Sequence, residues 1–428
     1  MFGVPEAGYL GGMNLREWRG PLLVGAVLRV LAWSAGLWSG GWVQTDTSQY
    51  WFLASNGMAG YNAADGWLYN WGLMRPPGYP AILATLRLIH NTYAGVSLMQ
   101  VGFGLAAIAL TYALASRITG KRAATLAAWW LALSPIHIID SSVLLTEVPF
   151  SVFLMISILL LAPMVERDSL EGWRWAASGL ALGMATLIRP IAFYLPLVVL
   201  LVMGLSKLRS RLLLPALLFL LAFALPVGGW LARNYRVTGV ATISTIQGIN
   251  LAYYRAAGAI AAQDQISVDE AQQRMLDLVA SEGGSGLNPA ERARVEARVG
   301  LREILRHPWG YVQTAVRGTA YTLAGPARSR FVERLRGTGA EFMTPPIVVA
   351  SAASAFLLTI ASMIGTIIWL RSREWRRLLL IGLPLAYLLL IAAGYEAWAR
   401  FRVPLEPLMA ILAGISVLEG LRAVGRQS

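Results

Sequence analysis

The feature that most narrows what this chain can become is a succession of apolar runs, each near the ~20 residues a helix needs to cross a bilayer. Runs near 21–38, 93–116, 121–135, 143–163, 173–188, 190–206, 211–231, 346–370, 376–394 and 403–421 predict about 10 transmembrane helices, with 121–135 and 173–188 the weakest of them. Over the whole chain 56% of residues are hydrophobic and 14% charged, a ratio that a water-soluble surface could not accommodate. The expected fold class is therefore an all-α polytopic membrane protein whose extracytoplasmic loops carry short interfacial helices. Sixteen Trp and 15 Tyr suit two long membrane–water boundaries. The first run follows Arg16 and Arg19 as a secretory signal would, yet nine more runs come after it and no persuasive small-residue cleavage site separates them, so it reads as a retained span.

Charge sets the orientation. Arg16, Arg19, Arg117, Lys121, Arg122, Arg167, Arg174, Lys207, Arg209, Arg211, Arg371, Arg373, Arg376, Arg377, Arg422 and Arg426 fall in alternate connections, whereas the short connections on the other side hold only Arg75, Arg87, Arg189, Arg400 and Arg402. The positive-inside rule then puts both termini in the cytoplasm and 39–92, 135–142, 188–190, 232–345 and 395–402 on one outer face, which predicts a multi-pass protein of the bacterial inner membrane with its site facing the periplasm or cell exterior. The net charge of +13 comes from basic residues scattered through loops, and all but Lys121 and Lys207 are arginine. Anionic headgroups and phosphates are the expected partners, and nucleic acid is not. With no cysteine, disulfides and thiolate metal sites are excluded.

Three regions follow: 1–232 as a transmembrane core containing the first outer loop (39–92), 233–345 as an outer loop region with amphipathic helices, and 346–428 as the C-terminal spans. "TDTSQYWFLA" in the first loop is a helix candidate that Thr45 or Asp46 could cap. "SVDEAQQRMLDLVASEG" and "NPAERARVEARVGLREILRH" are polar helical patterns, the second opened by Asn288 and Pro289 in preferred cap and first-turn positions. "HPWGYVQTAVRGTAYTLAG" is amphipathic and too interrupted to span, so it reads as a helix lying in the outer interface.

Charged groups near a bilayer are costly and mark function by default. The outer edge gathers Asp46, Arg75, Asp140, Glu147, Arg189, Arg233, Glu396, Arg400 and Arg402. Glu147 opens a span, Asp140 stands seven residues earlier and shares its face if the helix runs back that far, and Arg189 precedes a proline that forces a break between two spans. Carboxylates beside guanidinium forks can take a proton from an attacking hydroxyl and hold a departing phosphate.

"TDTSQY", "RPPGYP", "SPIHIIDSSVLLTEVPF", "LIRP", "WLARNYRVTG", "ISTIQGINL" and "ARFRVPLEPLMAILAG" occur in an order that resembles the GT-C membrane glycosyltransferases, in the branch of the protein O-mannosyltransferases and the lipid A aminoarabinose transferase. The resemblance covers roughly 20–420, with 255–345 alike only in having an outer segment with a horizontal helix. It implies a polyprenyl-phosphate-linked sugar donor and inverting transfer on the outer face to an acceptor hydroxyl of a glycolipid, glycan or protein. It also implies a base from an aspartate of the first outer loop, here Asp46, and a donor-phosphate ligand beside the proline pair, here Arg75. Glu147 is expected as a supporting acid, Arg189, Arg233 and Arg400 as further phosphate ligands, and Tyr50, Tyr79, Asp140 and Asn234 as substrate contacts.

Each assignment has a plainer rival. Asp46 could only cap a helix, Arg75 could be a snorkelling boundary residue, and Glu147 and Asp140 could form structural pairs with Arg189 or Arg233. Arg400, Arg402 and Glu406 could anchor a helix end, and Arg29, the deepest charge, is expected to meet a carbonyl or an acid inside the bundle. His90, His137 and His307 lack metal-ligand spacing. No cofactor is predicted; His137 and Asp140 lie near enough in sequence to share a divalent ion, but none is predicted there. A monomer is expected. At the level of function, a transporter or glycolipid flippase is the alternative, and it would spread its charges through the depth of several spans. A ligase or polymerase that transfers a whole glycan would share the donor chemistry.

Overall fold

The computed structural model describes residues 15–61, 66–167, 171–204, 211–284 and 286–424. Its helices, in chain order, are α1 (Leu15–Ser39), α2 (Thr45–Tyr61), α3 (Gly66–Met74), α4 (Gly78–Ile89), α5 (Tyr93–Ile118), α6 (Lys121–Leu133), α7 (Pro135–Asp140), α8 (Glu147–Arg167), α9 (Gly172–Ile188) and α10 (Leu195–Gly204). They continue with α11 (Leu213–Thr238), α12 (Ile246–Ile249), α13 (Ala257–Asp264), α14 (Val268–Val279), α15 (Pro289–Arg306), α16 (Pro308–Ala324), α17 (Arg328–Leu335), α18 (Thr344–Arg371), α19 (Trp375–Ala392) and α20 (Glu406–Val424). No strand occurs among the described residues, so the all-α expectation holds.

Among the described residues, six helical segments are long and apolar enough to cross a membrane: Glu17–Ser39, Tyr93–Ile118, Glu147–Met164, Leu213–Thr238, Glu341–Arg371 and Trp375–Ala392. The other expected spans take shorter or more polar forms. α6 has 13 residues and α9 has 17, Pro190–Gly204 is a shorter apolar stretch, and α20 carries Glu406, Glu419 and Arg422 within its 19 residues. Lys207, Arg209 and Arg426 of the expected inner set lie outside the described residues, and so do the side chains of Arg16 and Arg167.

In lipid, apolar area gives helices little reason to associate, so close packing through small residues takes over. α9 lies against α11 so tightly that a Cβ on Gly179 would come within 2.1 Å of the Phe219 carbonyl oxygen, and α18 meets α20 in the same way, Gly365 against the Leu412 carbonyl at 2.0 Å. α20 is central, with residues 408–413 all buried.

The segment 233–345 folds as its pattern predicts. Asn288 caps α15 with a complete capping box to Glu291 and Pro289 at the first turn, and Ser267 caps α14. α16 is one 17-residue helix with Trp309, Val312 and Val316 exposed along a stripe. α12 passes through π-helical turns at Asn250–Ala256 into α13. The segment reaches the first loop directly: the Thr245 amide donates to the Leu73 carbonyl at 3.1 Å and the Ser244 hydroxyl to the Met74 carbonyl, one residue from Arg75.

Candidate active site

Asp46, Gln49 and Tyr50 stand at i, i+3 and i+4 of α2 and share one face of the helix. The Asp46 carboxylate makes no capping bond to this helix; it turns toward the end of α3, where the Arg75 amide closes the last turn onto the Trp71 carbonyl at 2.8 Å. Pro76 and Pro77 have no N–H to continue that helix. Gly78 then packs onto the end of α9, where a Cβ would lie 2.6 Å from the Leu187 carbonyl carbon. Two residues farther along α9, Pro190 holds Arg189 extended at φ −138°, which ends the helix. One close approach at a glycine therefore brings Arg75 and Arg189 to the same edge.

Between them the charges alternate. Arg75 Nη2 donates to Asp46 Oδ1 at 2.8 Å, while Arg400 Nη2 lies 3.5 Å from Asp46 Oδ2 and Arg400 Nε 3.6 Å from Glu147 Oε1. Arg189 Nη1 reaches the same Glu147 oxygen at 2.8 Å and donates to the Thr146 hydroxyl, also at 2.8 Å. The order is thus Arg75, Asp46, Arg400, Glu147, Arg189: three cations and two anions. Glu147 is 3% exposed, Asp46 and Arg400 27% each, so the chain opens outward at Asp46. Burial works to lower the pKa of Arg400, but Glu147, Asp46 and Asp140 together raise it above the ordinary arginine value, which also places Asp140 within the field of this cluster. Arg75 is raised too: burial opposes its charge, and Tyr50 and Asp46 outweigh that effect.

The geometry distinguishes the contacts. Arg75 is held on every side, with Nε donating to Gln49 Oε1 at 2.8 Å, Nη1 to the Tyr50 hydroxyl at 3.3 Å and its fork 5.1 Å from the Tyr50 ring centre. Arg400 sits between two carboxylates at distances longer than a good charge-assisted bond, about 2.7–2.9 Å, so its fork can be re-aimed without breaking a tight pair.

Other expected residues fall elsewhere. Tyr79 is wholly buried; its hydroxyl donates to Gln100 Oε1 at 2.6 Å and its ring stands edge-on to Tyr50, so it supports the cluster from behind instead of meeting substrate. Asn234 is wholly buried between Arg233 and the Thr242 carbonyl. Arg233 stands apart from the alternating chain, against Trp230 and Tyr61. Asp140 closes α7 and does not share a helix with Glu147, because residues 141–146 form turns between α7 and α8. Those turns are pinned by the Thr47 hydroxyl on the Leu144 carbonyl at 3.0 Å and by Gln100 on the Val143 carbonyl.

Arg402 and Glu406 belong to a buried network with the plainer, anchoring role. Arg402 Nε pairs with Glu406 Oε1 at 3.2 Å and Nη1 donates to the Thr322 carbonyl at 2.9 Å, while Glu406 accepts from Ser134 at 2.6 Å. Arg29, as expected, meets carbonyls, those of Gly25, Ala132 and Leu131, and adds Ser141 and His137 Nδ1 at 3.0 Å. The carbonyls are the partners that the sequence reading expected for it. Gln49 and Thr146 escaped that reading altogether. Gln49 had a signal in its three-residue spacing from Asp46; Thr146 had none, because its place depends on the 141–146 turns.

Residues 74–230 match the family model of dolichyl-phosphate-mannose-protein mannosyltransferases. The whole chain overlays on an oligosaccharyltransferase of Archaeoglobus fulgidus in its apo form with a TM-score of 0.55 at 13% identity, covering 97% of this chain and 52% of that one. This is the GT-C fold. A second structure with it, Archaeoglobus fulgidus AglB with an inhibitory peptide and a dolichol-phosphate, aligns at 14% identity with a TM-score of 0.52 over the same shares, so the chain spans about half the length of these archaeal proteins. ArnT of Cupriavidus metallidurans bound to undecaprenyl phosphate aligns at 13% identity over 93% of this chain and 78% of that one, with a TM-score of 0.44. No curated protein matches at a significant level. The family match over residues 74–230 and the fold agree with the branch expected from the ordered motifs.

Proposed function

We propose that this chain moves a sugar from a polyprenyl-phosphate-linked donor to an acceptor hydroxyl at the extracytoplasmic side of a bacterial inner membrane, with inversion at the anomeric carbon. The observation that carries the reading is the alternating chain from Arg75 to Arg189, open to the outside at Asp46. A buried cation with no partner is costly, so in the resting protein Asp46 holds Arg75. The donor phosphate brings a competing anion. As it takes over the forks of Arg75 and Arg400, the Asp46 carboxylate is released into the cleft beside the sugar.

The transfer then balances as one displacement. The acceptor oxygen bonds to the anomeric carbon, the bond from that carbon to the phosphate oxygen breaks with its electron pair going to the phosphate, and Asp46 takes the hydroxyl proton. Arg75, Arg400 and Arg189 face the charge that grows on the leaving phosphate and favour the transition state over the bound donor. Glu147 acts on Arg189 and Arg400, keeping both forks turned toward the cleft. The family match over residues 74–230 supports the donor class, and dolichol-phosphate is named with one structure of the same fold.

The test is transfer of radiolabelled sugar from a lipid-linked donor in membranes containing wild type or Asp46→Asn at equal folded amounts. A loss of about 10²–10⁴-fold is expected for removal of a general base. Equal yields would remove Asp46 from the reaction, and movement of donor across the bilayer with no product formed would favour a flippase.

A further inference from the structure

Arg233, near the outer end of α11, differs from every arginine of the cluster. Its Nη1 donates to Asn234 Oδ1 at 2.7 Å, but Nε and Nη2 are buried with no acceptor, and no carboxylate of the described residues pairs with it. Asn234 is fixed in turn by its Nδ2 bond to the Thr242 carbonyl at 2.7 Å, so the orientation of the fork is set by the protein and not by a ligand. The edge left over, Nε with Nη2, is the side that grips two oxygens of a carboxylate or phosphate at once.

The surroundings match that use. The guanidinium lies 5.0 Å from the Trp230 ring and 5.9 Å from the Tyr61 ring, and these two rings meet edge-on at 5.3 Å. The Tyr61 hydroxyl is buried and also lacks a partner, and it is carried by the ring that stands 5.9 Å from the guanidinium. Tyr69 of α3 is near enough to feel the charge of Arg233, and Tyr61 is near enough to Tyr50 for the two phenols to influence each other. Arg233 and Tyr61 therefore lie near the Asp46 cluster without pairing with its acids.

We propose that Arg233 and Tyr61 form a second oxyanion site that reads a phosphate or carboxylate borne by the acceptor or by the transferred sugar, separate from the phosphate that links sugar to lipid. Two buried donors and a cation left unpaired disfavour the empty protein. A bidentate anion satisfies all three, and Trp230 and Tyr61 offer apolar faces to the ring that carries it. The neighbouring cluster has its own acids and needs no such ligand at rest. The transferase reading enters only in naming the carrier of the anion.

Calorimetric titration of the full chain in nanodiscs tests this, with undecaprenyl phosphate probing the first site and glucosamine 1-phosphate and glucuronate probing the second. Wild type already saturated with undecaprenyl phosphate should still bind at least one soluble probe. Arg233→Gln should weaken that binding tenfold or more, Arg233→Lys and Tyr61→Phe less, and Arg75→Gln should lose undecaprenyl phosphate while keeping the soluble probe. Binding of glucosamine 1-phosphate alone assigns the site to phosphorylated substrates, and of glucuronate alone to sugar acids. The proposal is overturned if neither probe binds wild type, if undecaprenyl phosphate displaces the probe, or if Arg233→Lys lowers Tm with affinity unchanged. Because lipid phosphate is titrated in the same samples, failure of the donor reading would be visible separately.

Discussion

Two groups of arginines and carboxylates in this molecule use the same side chains for opposite ends. Around Arg402 and Glu406 everything is sealed: both are at most 2% exposed, and Arg402 has two carbonyl acceptors besides its acid. Around Asp46 the acids are outnumbered, the exposure rises to 27%, and the Arg400 contacts stretch to 3.5 and 3.6 Å. A sealed network whose cation and acid are paired with each other and with buried neighbours fixes helices in place and has little left to give a ligand. A loose one with an excess cation is stable enough to fold and still able to exchange partners. Charge near a membrane marks function only where the geometry stays incomplete.

The comparison breaks most sharply under one chemical change made in both places. Asp46→Asn should lower the transfer rate about 10²–10⁴-fold and lower stability less than the change at Glu406 does, because Arg75 keeps Gln49 and Tyr50 as acceptors. Glu406→Gln should do the reverse, because it strips a buried charge partner from Arg402, a loss of about 3–5 kcal/mol. Thermal unfolding in detergent, read beside turnover per folded molecule, separates the two. If Glu406→Gln lost activity with Tm intact, the sealed network would belong to the reaction and the contrast would fail.

A smaller effect is expected from Arg75→Lys. Lysine keeps the charge but cannot reach Gln49, Tyr50 and Asp46 together, since its three donors radiate from one point instead of a planar fork. Turnover should fall about 10- to 100-fold, as for loss of an oriented donor that leaves charge in place. A fall in lipid-phosphate affinity with no change in kcat would instead mean that Arg75 holds the donor equally in ground and transition states.

Why the sequence announced one network and understated the other is a matter of distance along the chain. Asp46 and Arg75 were legible because each sits in a local device, a helix start and a proline pair, whose chemistry is readable in a few residues. The six long apolar helices of the described residues were legible from apolar length alone, whereas α6 and α9 were marked by the weakest runs, and the 190–206 run folds as a shorter apolar stretch. Arg402 meets Thr322 and Gly325, roughly eighty positions away, and Glu406 meets Ser134 across 272 positions, pairings that no local pattern encodes. The condition for Asp140 and Glu147 to share a helix face, that the helix runs back to Asp140, is not met for the converse reason: buried side-chain bonds from Thr47, Ser97 and Gln100 hold the backbone of residues 141–146 in turns. Local pattern is overruled there by contacts from two other helices.

Gln49 supplies the finest test of the comparison, because it touches no charge but Arg75 and lies on the exposed side of the cluster. Its Oε1 accepts from Arg75 Nε at 2.8 Å and so aims the fork whose far nitrogen holds Asp46. Gln49→Leu keeps the bulk of the side chain and removes only that acceptor, so stability should change by about 1 kcal/mol or less for a partly exposed neutral bond. If the resting grip on Asp46 is what the donor phosphate must displace, a fork freed of Gln49 should exchange more readily and be placed less well. KM for the lipid-linked donor should then change less than threefold while kcat falls about 3- to 10-fold, a fraction of the effect of losing a whole donor. A rise in KM with kcat untouched would make Gln49 a plain binding contact, and the outer cluster would then be as rigidly assembled as the sealed one.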